Sequence, residues 1–154
     1  MLKKLKYVSL LSKAKNARIK SNFQDAENYM QMAFNVYGKY PQEEFPPYVN
    51  IIYASICLHT DKLNSYEFCV IALKQLNKKY YKNINIINYL KYYIQIILIN
   101  TTNFADSDAY ALLKSINIKY NTINANKVPK YIKMNLPLNK ELGSEVDAFI
   151  ESLY

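Results

Sequence analysis

Few residues in this chain carry strong chemistry, and their spacing limits what each can do. His59 is the single histidine; Ser55 lies about one helical turn before it and Asp61 two residues after it. Those are the residue types of a hydrolytic triad, but a triad draws its members from separate elements so that they converge on a substrate. A single helix end often holds the same three. Cys57 and His59 are two residues apart and leave a helix on different sides, and adding Cys69 gives three ligands where a structural zinc site takes four. Asp106 and Asp108 read as the acidic first turn of a helix rather than as an acid pair. Two glycines cannot build a phosphate-cradling loop. The expectation is a protein that is not an enzyme and uses no metal or cofactor.

A binding role has a sharper candidate. In Ile84 to Ile99 twelve of sixteen residues are apolar or aromatic, and the exceptions are Asn85, Asn88, Lys91 and Gln95. Spacings of three, three and four put these on one narrow stripe of a helix and on no single face of a strand. Within the stripe, Asn88, Lys91 and Gln95 could line a concave surface, Lys91 pairing with a partner carboxylate and the amides bonding a partner backbone. Lys15 and Arg18 fall on the same side if the repeats described below superpose.

So thin a polar seam requires cover on most sides, which places this helix in the middle of an all-α stack. A membrane span needs about 20 apolar residues, and Lys91 and Gln95 interrupt this run. Around it the chain reads as helical pairs. Residues 2–20 carry Leu2, Leu5, Leu10, Ala14 and Ala17 as an apolar face. Ser21 with Gln24 reads as a capping box for a second helix, with Ala26, Met30, Ala33 and Tyr37 inward, ended by Gly38 and Pro41. Pro46 and Pro47 open a third helix, Tyr48 to about Thr60, with Val49, Ile52, Tyr53 and Ile56 inward. Asp61 to Leu63 turn the chain, and Asn64 with Glu67 reads as the cap of a fourth, with Phe68, Ala72, Leu73 and Leu76 inward. After the central helix, a break at Thr101 to Asn103 precedes a helix from near Asp106 with Ala109, Leu112, Leu113 and Ile116 inward. An irregular stretch from Asn121 to Pro137 follows, in which Tyr131, Ile132 and Met134 dock as a short turn. The last helix runs from near Asn139 to Leu153, with Leu142, Val146, Phe149, Ile150 and Leu153 inward and Glu141, Glu145, Asp147 and Glu151 giving it an acidic face.

The chain also matches itself at a period of about 40 residues. Lys39-Tyr40 recurs as Lys79-Tyr80 and Lys119-Tyr120. Apolar positions keep step as Ala14, Ala54 and Ile94; Ala17, Cys57 and Ile97; Met30, Val70 and Tyr110; Ala33, Leu73 and Leu113. Such repetition predicts three stacked antiparallel hairpins, 1–40, 41–80 and 81–120, in a single α-solenoid-like domain of 1–154 that a C-terminal connection and helix (121–154) cap.

Over residues 10–33 the first unit resembles a tetratricopeptide repeat, with Ala14, Ala17, Ala26, Met30 and Ala33 at that family's packing positions. The family's tryptophan, its Gly-then-Tyr pair and its closing proline have no clear counterpart, and the period exceeds the usual ~34 residues. The resemblance implies a right-handed superhelix that binds a peptide or protein on its concave side.

Bulk properties narrow the partner. The net charge of +8 comes from 19 lysines and one arginine, Arg18, against 12 acids. Lysine supplies undirected charge where arginine forks supply geometry. Cys57 and Cys69 lack framework spacing and no secretory signal precedes them, so reduced thiols and a cytoplasmic location are expected. The function expected is a protein-binding module, an adaptor, a chaperone for an acidic client or an immunity factor, that recognises a partner's acidic face. The alternative is a binder of RNA or single-stranded nucleic acid. In it, the eight bases against two acids of residues 1–40 would meet phosphates, and Tyr7, Tyr81, Tyr92 and Tyr93 would stack on bases.

Overall fold

The computed structural model describes residues 2–38, 42–101 and 107–154. Among them the chain forms eight α-helices and no strand: α1 (Leu2–Ile19), α2 (Phe23–Asn35), α3 (Pro47–Cys57), α4 (Lys62–Asn77), α5 (Ile84–Thr101), α6 (Ser107–Ile116), α7 (Lys130–Asn135) and α8 (Lys140–Ser152). Single 3-10 turns lie at Gln42–Glu44, Tyr120–Thr122 and Ala125–Lys127. The expectations placed on Lys39, Tyr40, Pro41, Thr102, Asn103 and Asp106 lie outside the described residues.

Two of the expected caps are made differently. Ser21 does not open α2: it sits at φ 61°, and the Asn22 and Ser21 amides donate to the Ala17 and Arg18 carbonyls, so it closes α1 in a left-handed terminal motif. Asn22, the residue before α2, makes no side-chain cap. The fourth helix is capped by Asp61, whose carboxylate accepts the Asn64 amide at 3.2 Å. Asp61 has the extended backbone of an N-cap, so α4 starts at Lys62 and Asn64 is already inside it. At the other end Lys79 takes φ 59°, and the Tyr80 and Lys79 amides return to Gln75 and Leu76. Gly38, Lys79 and Asn117 all have positive φ and follow α2, α4 and α6 at roughly forty-residue intervals. The recurring Lys-Tyr pair differs: Lys119 is extended and precedes a 3-10 turn instead of closing a helix pair.

Packing follows the apolar stripes. α1 lies against α2, and α3 against α4; α3 and α4 both pack on α5, which also meets α6. α3 is buried almost all round, from Pro47 through Val49 to Ala54 and again at Ile56 and Cys57. Of α5, only Ile84 and Asn100 at its ends are well exposed. Three of the four sets of matched positions share burial: Ala14, Ala54 and Ile94, then Ala17, Cys57 and Ile97, then Ala33, Leu73 and Leu113 are all buried, whereas Val70 and Tyr110 are half-buried where Met30 is fully buried. Inside the second pair, Asn50 donates to the Gln42 carbonyl and to Gln75 Oε1, while Gln75 Nε2 donates to the Phe45 carbonyl at 2.6 Å. These amides stand in for backbone pairing and hold the 42–45 turn on α3 and α4.

The segment after α6 is attached by side chains of α5. Asn83, just before α5, donates to the Lys127 carbonyl, the Tyr89 hydroxyl to the Leu136 carbonyl at 2.7 Å, and the Tyr92 hydroxyl to Asp147 Oδ1 at 2.8 Å. Asp147 also accepts the Tyr120 amide. Gly143 of α8 gives Tyr120 room, since a Cβ there would lie 2.9 Å from the Tyr120 Cβ and closer still to its ring. Among the described residues no helix is long and apolar enough to cross a membrane.

Candidate protein interface

The five residues singled out for binding go to four different places. Gln95 is fully buried; its Nε2 donates to the Ile118 carbonyl at 2.9 Å, and the Ile118 amide donates to its Oε1 at 2.6 Å. Both ends of the amide are thus engaged within the fold. Arg18 is half-buried, and its guanidinium donates to Ser55 Oγ at 3.0 Å and to the Asn135 carbonyl. It bridges α1, α3 and the C-terminal end of α7, where a cation meets the negative end of the helix dipole. Burial lowers the guanidinium pKa, and Tyr93 nearby opposes that shift. Asn88 and Lys91 do come together. With Asn77, Ser115, Leu73, Ile116 and Ile118 they line an open depression of about 240 Å³ between α4, α5 and α6. Lys15 is on α1, half-buried, and is not among the residues that line that depression.

The larger feature is on α1 and runs against the expected apolar face. Leu10, Ala14 and Ala17 are buried, but Leu2 is 84% exposed and Leu5 63%. At about 100° per residue, Leu5 and Leu10 are about 140° apart on the helix, so one apolar face cannot hold both. Leu5 belongs instead to an outward stripe with Val8 (52% exposed) and Ile19 (68%), on which Ser9, Ser12 and Asn16 also lie exposed. This stripe carries no charge. Lysines border it: Lys4 and Lys15 on one side, Lys6 and Lys13 on the other, and the first acid in the chain is Asp25. Lys13 also reaches toward the Tyr29 ring of α2, at 6.0 Å from its centroid.

A solvated helix face normally shows its charges outward and its apolar groups inward. Here the outward stripe is uncharged, three apolar side chains alternating with small or amide ones, and the charges stand at its rims. The signal was present in the spacing: positions 5, 8, 12, 16 and 19 trace one face at intervals of three and four. It was hidden because Leu2 and Leu5 read naturally as the start of the buried face.

The groups considered for chemistry are otherwise engaged. The His59 ring stacks on Phe23 with centroids 3.7 Å apart. Ser55 donates to the Ile52 carbonyl and accepts from Arg18, and Asp61 caps α4. Cys57 and Cys69 are free and buried. Of the tyrosines considered for base stacking, Tyr92 is fully buried, while Tyr7, Tyr81 and Tyr93 are half-buried and pack against the core. No protein-family model, curated protein or solved structure matches the chain.

Proposed function

We propose that this protein is a non-catalytic protein-binding module whose partner presents an acidic face. The observation that carries the reading is the outward stripe of α1, uncharged along its centre and lined by lysines on both sides. Burying Leu5, Val8 and Ile19 against a partner would remove from water apolar surface worth on the order of 1.5–3 kcal/mol per side chain. The lysine rims would steer acidic partners and repel basic ones. Lys15 contributes as one of those rims, and Asn88 with Lys91 forms a second, smaller contact able to receive a carboxylate. The three-unit, tetratricopeptide-like stack is part of the same proposal. It is supported by the shared burial at three of the four sets of repeat positions and by the left-handed residues that follow α2, α4 and α6. Adaptor, chaperone and immunity roles all fit a small basic binder of this kind.

The test is affinity purification of the tagged protein from its own cells, with and without nuclease, beside a Leu5→Ser/Val8→Ser variant. The reading expects one stoichiometric protein that survives nuclease and is lost with the variant. Recovery of nucleic acid, or of many proteins released by nuclease, would replace it with the nucleic-acid alternative, whose binding should weaken steeply with salt.

A further inference from the structure

Resting on the reading that α1 carries the interface, we propose that its occupant is an amphipathic helix of another protein, apolar along one seam and acidic along both flanks. The stripe runs from Leu5 to Ile19, which at 1.5 Å per residue is about 21 Å, or some four helical turns. Its middle is small: Ser9 and Ser12 let a second helix approach to the ~8–10 Å separation at which helices interlock, while Leu5 and Val8 at one end and Ile19 at the other supply apolar contacts. The rims have helical periods too. Lys6 and Lys13 are seven residues apart and Lys4 and Lys15 eleven, the spacings at which a helix lying alongside returns the same face. Acids seven apart on one flank of the partner and eleven apart on the other would meet all four lysines.

Other occupants fit less well. An extended peptide needs backbone hydrogen-bond partners, and the middle of a helix offers none. A second copy of α1 would set lysine rim against lysine rim. The acidic face of α8, with Glu141, Glu145 and Glu151 exposed, carries no large exposed apolar residue to cover the stripe. A lipid surface would draw Ser9, Ser12 and Asn16 toward acyl chains with nothing to bond them, at a cost that a protein helix avoids by supplying partners.

The experiment is a selection from a displayed helical-peptide library, randomised at seam and flank positions, against the full chain and counter-selected against Leu5→Ser/Val8→Ser. Both substitutions fall on exposed positions, and circular dichroism checks that the variant keeps its helicity. The expected winners carry bulky apolar residues along a seam with Asp or Glu on the flanks. Synthesised, they bind the full chain with amide shift changes confined to α1, and bind about tenfold or more weakly to Leu5→Ser/Val8→Ser and to Lys4→Glu/Lys15→Glu. Winners that perturb α1 but are extended or lack acids overturn the helical occupant and leave the α1 interface standing. Failure of any peptide to distinguish the full chain from Leu5→Ser/Val8→Ser overturns both. Binding to phosphatidylserine vesicles that is lost in the same variant, with no such peptide, assigns the stripe to lipid instead.

Discussion

Gln95 and Ile118 exchange two hydrogen bonds, side-chain amide to backbone, as two strands would exchange them. Through this pair the central helix holds the chain where it leaves α6. Gln95→Ala would orphan a backbone donor and a backbone acceptor and leave a void, at an expected cost of about 2–4 kcal/mol. Urea unfolding of the variant measures it. A midpoint unchanged from the parent would mean that the pair is incidental.

Arg18 joins three helices through Ser55 and Asn135. Lysine keeps the charge but not the fork, so Arg18→Lys should lose about 1–2 kcal/mol and shift the amide resonances of α7. Resonance changes limited to α1 would argue that the bridge to α7 is weak in solution.

Gly143 is a helical glycine, a position where alanine normally gains about 1 kcal/mol. Here the added Cβ meets Tyr120, whose amide is itself held by Asp147. Gly143→Ala is therefore expected to destabilise by about 1–3 kcal/mol, read as a lowered melting temperature. Stabilisation instead would show that Tyr120 can step aside freely.

Alkaline pH should unfold the protein. Burial pushes the Cys57 thiol up to about 12 from 9.0, raises Cys69 in the same direction, and raises the phenols of Tyr7, Tyr53, Tyr81, Tyr89 and Tyr92 above their ordinary 10.0. The unfolded chain releases these protons first. The stability they contribute is fully present below the unfolded values and is lost as pH rises above them toward the folded values, by up to ~1.4 kcal/mol per group and pH unit. Loss of helical ellipticity and appearance of tyrosinate absorbance should coincide. Tyrosinate forming at the ordinary phenol pH while ellipticity is intact would contradict the burial of these rings.

The two thiols give an independent check at neutral pH. Both are buried on adjoining helices and held protonated, so a thiol reagent should leave Cys57 and Cys69 unmodified in the native protein and modify both in strong denaturant. Rapid native labelling would place them in a segment that opens easily.

The α5 helix was legible from its residues because three-and-four spacing of Asn85, Asn88, Lys91 and Gln95 excludes a strand. The last helix was too, with Asn139 accepting the Leu142 amide as its cap. The start of α4 was not: Asp61 and Asn64 are both good caps, and only the backbone path of the turn decides which one reaches an amide. For the candidate site, composition and spacing offered five polar residues on nominally one side, yet Gln95 and Arg18 turned inward and Lys15 parted from Asn88 and Lys91.

By itself the sequence determined the helical class, because the period of its apolar residues is a local property that each segment carries wherever it packs. It also determined the basic character of α1, which follows from composition. The tertiary structure alone decided which polar groups meet water. That depends on what lies opposite: Gln95 faces Ile118, Arg18 faces Ser55 and Asn135, and among the described residues Leu5, Val8 and Ile19 stay exposed. A polar residue opposite an unpaired backbone becomes part of the fold, and an apolar residue opposite solvent stays on the surface.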